Sequence, residues 1–240
     1  MSTKTIGRIV GALFLLALVV YGSGSALVDS ASGAADVLSD VVDNRMQLSV
    51  GALLMLANSA VVVGIGVLAF PILKPHHEIS AYAYLIARTI EALMLALGIV
   101  FLLLLVPLAQ EYANADNASV LPALARVAQE GNHHSYQIAM ISLGIGGILF
   151  CRVLLRAHLV PRFMAVWGLG GYAILLAGAV LEVLGYGVGL ALSVPGGLFE
   201  LSLGVLLLMK GFPTAPSRDH DGLAQDLSPA GKAPAGAPSV

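Results

Sequence analysis

The chain has 240 residues, of which 58% are hydrophobic and only 11% are charged, and its formal net charge is −2. Soluble domains carry about 25% charged residues, so this composition excludes an ordinary soluble protein and indicates an integral membrane protein. Without a basic stripe and interleaved aromatic residues, nucleic acid is excluded as a partner. The single cysteine, Cys151, cannot form an internal disulfide.

Six apolar segments have the length of about 20 residues that a helix needs to cross a bilayer. They are residues 6–28, 48–70, 81–106, 136–155, 163–186 and 189–209. We therefore predict an all-α fold in which residues 1–212 form a six-transmembrane-helix bundle in the lipid bilayer. Residues 213–240 are rich in Pro, Ala, Gly, Ser and Asp, and we expect a disordered cytoplasmic tail there.

The first segment also resembles a secretory signal peptide. It follows Lys4 and Arg8, and it ends in the small residues 22–26, which are typical of a cleavage region. Its apolar core is long for a signal peptide, and five further spans follow. We expect this segment to be retained as the first span.

The distribution of lysine and arginine predicts the orientation of the bundle. With a cytoplasmic N-terminus, only Arg45 and Arg126 fall in segments outside the membrane. The cytoplasmic segments then hold Lys4, Arg8, Lys74, Arg152, Arg156, Arg162, Lys210, Arg218 and Lys232. The positive-inside rule favours this arrangement, which puts both termini in the cytoplasm.

The two larger outer loops carry helical patterns of apolar residues. In residues 34–43 the apolar positions are Val37, Leu38, Val41 and Val42, and in residues 118–130 they are Val120, Leu121, Leu124 and Val127. Each pattern predicts a short amphipathic helix. We expect these helices to pack as lids on the bundle, and the alternative is that they bind the outer membrane surface.

A short pattern recurs in the second and fourth spans. Residues 64–70 read GIGVLAF and residues 144–150 read GIGGILF. Recurrence of small residues is typical of transmembrane helices whose backbones approach closely, and we prefer this explanation to gene duplication.

The spans contain a few polar residues at nearly one depth. Arg88 and Glu91 in the third span are three positions apart, so they share one helical face and can pair. At 1.5 Å per residue from the cytoplasmic end, Glu91 and Glu200 lie about 15 Å deep, Asn58 about 18 Å and Arg88 about 10–12 Å. A charge within the bilayer costs about 2.5–3.5 kcal/mol. We therefore predict a midplane polar cluster of Asn58, Arg88, Glu91 and Glu200.

Two interpretations of this cluster remain open. The preferred one is a structural clamp, in which Arg88 pairs with both carboxylates, Asn58 completes the hydrogen bonds, and the protein is a structural or accessory component. An unidentified membrane or extracytoplasmic protein would then dock on the outer helices. The alternative is a small-solute or proton-coupled carrier, because a desolvated carboxyl without a partner can take up a proton.

The sequence indicates neither an enzyme nor a cofactor. Every histidine lies outside the spans, namely His76, His77, His133, His134, His158 and His220. This position argues against bis-histidine haem and against an intramembrane Ser–His dyad. The topology puts the two adjacent pairs on opposite sides of the membrane, so we expect no metal site and no catalytic residues.

Three short motifs carry a resemblance to a known family. They are Arg88-x-x-Glu91, Pro161-Arg162 followed by Trp167-Gly168, and Glu200 followed by Leu207-Leu208-x-Lys210-Gly211. By these motifs and their order along the chain, the protein resembles the bacterial multi-pass membrane family known as domain of unknown function 4386. The resemblance covers most of residues 6–212. The resemblance implies a bacterial inner-membrane protein without an assigned activity, and it supplies no catalytic residues.

Overall fold

A computed structural model describes residues 1–33, 36–114 and 119–213. Within these residues the protein has six helices that are long and apolar enough to cross a membrane. They are α1 Thr3–Ser32, α2 Val37–Leu73, α3 Glu78–Asn114, α4 Leu121–Arg156, α5 Arg162–Val183 and α6 Gly189–Lys210. The predicted all-α, six-helix multi-pass membrane fold is confirmed. Apart from Pro213, the predicted tail lies outside the described residues.

The six helices form a closed ring. Each helix packs against the next one along the chain, and α1 packs against α6 to complete the ring. Helices α1 and α6 approach closely because Gly11 lies against the α6 backbone, where an added Cβ would come within 2.6 Å of the Gly204 carbonyl oxygen. A ring of this kind lets all six helices contribute side chains to one central space.

Helix α3 sits between α2 and α4, and the recurring sequence pattern lies on its two sides. A Cβ added to Gly66 would lie 3.0 Å from the Cβ of Arg88, and one added to Gly146 would lie 2.6 Å from the Cβ of Ala87. Equivalent glycines of the two copies therefore contact consecutive residues of α3. The recurrence thus accompanies close helix packing.

The two ends of the bundle differ. The basic end comprises the starts of α1, α3 and α5 and the ends of α2, α4 and α6, with Lys4, Arg8, Lys74, Arg152, Arg156, Arg162 and Lys210. The opposite end holds the other helix termini.

Helices α2, α3 and α4 are about 55 Å long and α5 and α6 about 33 Å at 1.5 Å per residue. Because a hydrocarbon core is about 30 Å thick, the three long helices extend beyond it.

Both amphipathic segments of the outer loops are helical, but they belong to the long helices. Residues 37–43 form the first turns of α2 and are separated from the rest of that helix by a kink at Asn44 (φ −113°, ψ 22°). Residues 121–130 form the first turns of α4, which has no such kink. In the first segment Leu38 and Val41 are buried, whereas Val42 is exposed. In the second segment Leu124 and Val127 are exposed, and the smaller Ala125 and Ala128 are buried instead. Small residues face the bundle there because α4 packs closely on α3.

The fifth helix is shorter than its predicted span. Helix α5 ends at Val183, whereas the apolar pattern continues to residue 186. Gly185 adopts a left-handed conformation with φ +91°, which glycine takes without steric cost. The chain therefore turns at this position before α6 begins at Gly189.

Candidate functional site

A cavity of about 280 Å³ lies at the centre of the ring, and residues of all six helices line it. The four predicted polar residues Asn58, Arg88, Glu91 and Glu200 are all in its wall. The other lining residues are Phe14, Ala17, Leu18, Tyr21, Gly22, Val62, Leu95, Tyr136, Met140, Leu143, Leu175, Ser193 and Gly197. The site is thus an apolar and aromatic chamber with a small number of polar groups, as is typical of small-molecule sites.

Arg88 and Glu91 form a buried ion pair. Arg88 Nη1 donates a hydrogen bond of 2.8 Å to Oε2 of Glu91, and both residues are at least 97% buried. The guanidinium carbon also lies 5.6 Å from the ring centre of Phe14 and 5.8 Å from that of Tyr84. Ring faces attract cations, so α1 and α3 together hold Arg88 in place beside its carboxylate.

Glu200 has a different partner from the one predicted by the clamp interpretation. Its Oε1 accepts a hydrogen bond of 2.8 Å from the hydroxyl of Tyr172 on α5. Among the ion pairs of the described residues, none joins Glu200 to Arg88. The carboxylate of Glu200 is therefore held by a neutral hydroxyl while it faces the cavity.

Two buried polar atoms of residues that line the cavity lack a hydrogen-bond partner in the described part of the protein. They are Oδ1 of Asn58 and Nε of Arg88. Asn58 is 4% exposed, and it lines the cavity. A buried polar atom left without a partner costs about 1–3 kcal/mol, so a bound solute or water that supplies the partner is favoured.

The charges of the cavity do not cancel. Arg88 contributes one positive charge, whereas Glu91 and Glu200 contribute one negative charge each when ionised, which leaves a net charge of −1. Both carboxylates line the same cavity. Together with the rings of Phe14, Tyr21 and Tyr136, this excess negative charge favours a cation.

A second cavity extends the chamber toward the opposite end. It has a volume of about 210 Å³ and shares Tyr136, Met140, Leu175 and Ser193 with the central cavity. Its own polar residues include His133, Gln137 and Glu182. The two cavities therefore adjoin, with these four shared residues between them.

Glu182 lines the second cavity and contacts two other elements. Its Oε2 accepts a hydrogen bond from the backbone N–H of Gly189 at 2.6 Å, and its Oε1 lies 3.7 Å from Nε2 of His133. Glu182 thereby joins the end of α5 to the start of α6 and to α4. The pair of His133 and Glu182 marks the outer limit of the second cavity.

Toward the basic end, the interior of the ring is filled. Large apolar side chains pack there, including Phe150, Leu154, Leu203, Leu207 and Phe212, and each is completely or almost completely buried. The central chamber therefore has the second cavity on one side, toward the opposite end of the bundle. On the other side, toward the basic end, it has a packed apolar core.

The sequence prediction missed the tyrosines of this site. Tyr172 appeared only as part of the glycine-containing fifth span, yet it binds Glu200. Its ring fits against α4 because residue 147 is glycine, where an added Cβ would lie 2.5 Å from ring atoms of Tyr172. A hydroxyl within an apolar span needs a hydrogen-bond partner, and this requirement was the available signal.

Comparison with known proteins agrees with the motif-based resemblance. A family model described as Domain of unknown function (DUF4386) matches residues 9–211, a range that includes every residue lining the central cavity. No curated protein and no solved structure matches the chain. Because the matched range covers more than half of the 240 residues, this multi-pass membrane protein belongs to the family described as Domain of unknown function (DUF4386).

Proposed function

We propose that this protein binds and carries a small cationic solute, or a proton, through the central cavity. The observation that supports the proposal is the placement of Asn58, Arg88, Glu91 and Glu200 around one chamber of about 280 Å³. A rigid clamp would fill this space with its own side chains, whereas a solute site needs room and unpaired polar atoms. The proposal assigns binding and transport, and no chemical reaction.

The orientation proposed for the carrier follows from the charge of its ends. With the basic end in the cytoplasm of a bacterial inner membrane, as the positive-inside rule favours, both termini are cytoplasmic. The second cavity, beside His133 and Glu182, then lies on the outer side of the chamber, and we propose it as the entry route. A carrier in this state would receive its solute from outside and would release it after the packed core at the basic end opens.

Tetraethylammonium, a permanent cation, is a suitable probe for the site. Equilibrium binding to the purified full chain in nanodiscs should be weakened about tenfold or more by Glu200→Gln, because the substitution removes the excess negative charge. Glu111→Gln is the matched control, since Glu111 is exposed near the end of α3 and does not line the cavity. Equal binding by wild type and Glu200→Gln would overturn the assignment of a cation to the cavity.

Transport is tested separately from binding. Proteoliposomes that contain the wild-type chain should take up the probe at a rate that depends on pH, and Glu91→Gln and Glu200→Gln should both alter this dependence. Unaltered pH dependence in both variants would contradict the use of these carboxylates in proton coupling.

A structural clamp is the second candidate function, and the buried Arg88–Glu91 pair favours it. The two groups pair at 2.8 Å within a single helix, and this contact can serve the fold alone if nothing else enters the cavity. Under this candidate the protein is an accessory component, and a membrane or extracytoplasmic partner docks on the extended ends of α2, α3 and α4. Absence of both binding and flux, with Arg88→Ala lowering thermal stability, would favour the clamp.

A further inference from the structure

A separate cavity lies at the basic end, between the connection of α2 to α3 and the end of α4. Its volume is about 160 Å³, and it shares no residue with the central chamber. The lining residues are His76, His77, Ser80, Arg152, Val153, Arg156 and Ala157. The proposed carrier function makes no use of these residues.

The lining of this basic-end cavity is rich in hydrogen-bond donors. Arg152 and Arg156 are four positions apart, so they lie on one face of the last turns of α4. A guanidinium has five N–H donors and no acceptor. Among the described residues no aspartate or glutamate lines the cavity, and the nearby Glu78 is paired with Lys74 at 3.4 Å. The cavity therefore has a positive charge that its own walls do not neutralise.

His77 and Ser80 add two further donors. Nδ1 of His77 accepts a hydrogen bond of 3.1 Å from the backbone N–H of Ser80. In a neutral imidazole the other nitrogen then carries the hydrogen, so Nε2 of His77 is a donor. Ser80 and Val153 are buried and form the floor of the cavity, while the arginines and histidines are exposed at its rim.

The position of the cavity matches the depth of phospholipid head groups. Ser80 directly precedes the predicted third span, and Arg152 and Arg156 lie at the end of the predicted fourth span. Basic pockets between transmembrane helices at this level bind anionic head groups, and arginine pairs with phosphate through two parallel hydrogen bonds. We propose that the basic-end cavity binds a phosphate group, carried either by an anionic phospholipid or by inorganic phosphate.

The test compares a variant of this site with a matched variant of the opposite end. Arg152→Gln/Arg156→Gln removes the two guanidinium groups, and Arg45→Gln/Arg126→Gln removes two exposed arginines that do not line the cavity. Native mass spectrometry of the purified full chain should detect phosphatidylglycerol bound to wild type and to the control variant. The affinity of Arg152→Gln/Arg156→Gln for phosphatidylglycerol should be lower by a factor of about ten or more, which is the loss expected when charge-assisted hydrogen bonds are removed.

A second variant and a second ligand complete the design. Ser80→Ala keeps every positive charge and changes the volume little, so it should fold and yet bind phosphatidylglycerol several-fold more weakly, by loss of one hydrogen bond. Thermal stabilisation by phosphatidylglycerol but not by inorganic phosphate at matched ionic strength identifies a lipid site, and equal stabilisation by both identifies a site for free phosphate. No stabilisation of wild type by either ligand, or equal stabilisation of wild type and both site variants, would overturn the proposal.

Discussion

The hydroxyl of Tyr172 lies 2.8 Å from Oε1 of Glu200, so a neutral residue of α5, and not Arg88, holds the second carboxylate of the central cavity. This hydrogen bond joins two neighbouring helices of the ring. It also keeps a carboxylate at the wall of a chamber whose other charges already form a pair. The chamber therefore combines a closed ion pair with an acidic group that remains available to a ligand.

Tyr172→Phe removes this hydrogen bond and leaves the aromatic ring in place. A hydrogen bond to a charged group contributes about 1.5–3 kcal/mol, so we expect the free energy of unfolding in detergent to fall by about that amount. Tyr186→Phe is the control, because Tyr186 is exposed in the turn before α6. An unchanged thermal unfolding curve for Tyr172→Phe would contradict a stabilising role of the hydroxyl.

Arg88→Ala leaves Glu91 buried without its partner. Breaking a buried ion pair in this way costs about 3–5 kcal/mol, and thermal unfolding of the purified protein measures the loss. Arg88→Met/Glu91→Leu removes both charges and should regain most of the stability, because apolar pairs of similar size replace buried ion pairs at little cost. If Arg88→Ala melts like wild type, the pair does not stabilise the bundle.

Gly197→Leu should block the central cavity without disturbing the helices around it. Gly197 lines the cavity, and an added Cβ there meets no atom within 4 Å. Gly170 on α5 has equally open surroundings and does not line the cavity, so Gly170→Leu is the matched control. We expect both variants to keep their thermal stability, since leucine favours a helix by up to about 1 kcal/mol over glycine.

Of these two variants, only Gly197→Leu should weaken the binding of the probe. Binding of tetraethylammonium to Gly197→Leu should fall about tenfold or more, because the new side chain occupies the space that the cation needs. Binding to Gly170→Leu should match that of wild type. The same affinity in both variants would place the probe outside the chamber.

Asp36 makes the start of α2 sensitive to acid. Hydrogen bonds from Ser39, first from its side chain and also from its backbone N–H, hold the pKa of the exposed Asp36 carboxylate below its ordinary value. A group with a lowered pKa stabilises the folded state above the pKa of the unfolded chain, and this contribution is lost as the pH falls through the folded pKa. The first turn of α2 should therefore fray only as the pH falls below the ordinary carboxyl pKa of 3.8.

Amide hydrogen exchange of the segment that begins at Val37 measures this fraying. Protection corrected for intrinsic exchange should fall as the pH decreases through the acidic range in wild type. Asp36→Asn keeps an N-cap residue that does not titrate, so its protection should stay nearly constant over the same range. Parallel pH profiles for the two proteins would show that Asp36 is not the sensitive group.

Local properties of the sequence were sufficient to predict which segments are long and apolar enough to span the membrane and at what depth their polar residues lie. Apolar length fixes a span, rise per residue fixes depth, and a spacing of three fixes the Arg88–Glu91 pair because both residues belong to one helix. These features need no knowledge of neighbouring helices. For the same reason, the outer amphipathic segments were recognised as helical before their continuity with α2 and α4 was known.

Only the tertiary structure decided which residues meet across helices. The rotation of each helix in the ring pairs Tyr172 with Glu200, leaves Oδ1 of Asn58 without a partner in the described protein, and opens a cavity among them. These relationships join residues far apart in the chain, and they depend on small residues such as Gly147 that let one helix lie close to another. A hydropathy pattern contains the length of each helix but not its rotation toward the others, so it predicts polar groups at one depth without predicting the space between them.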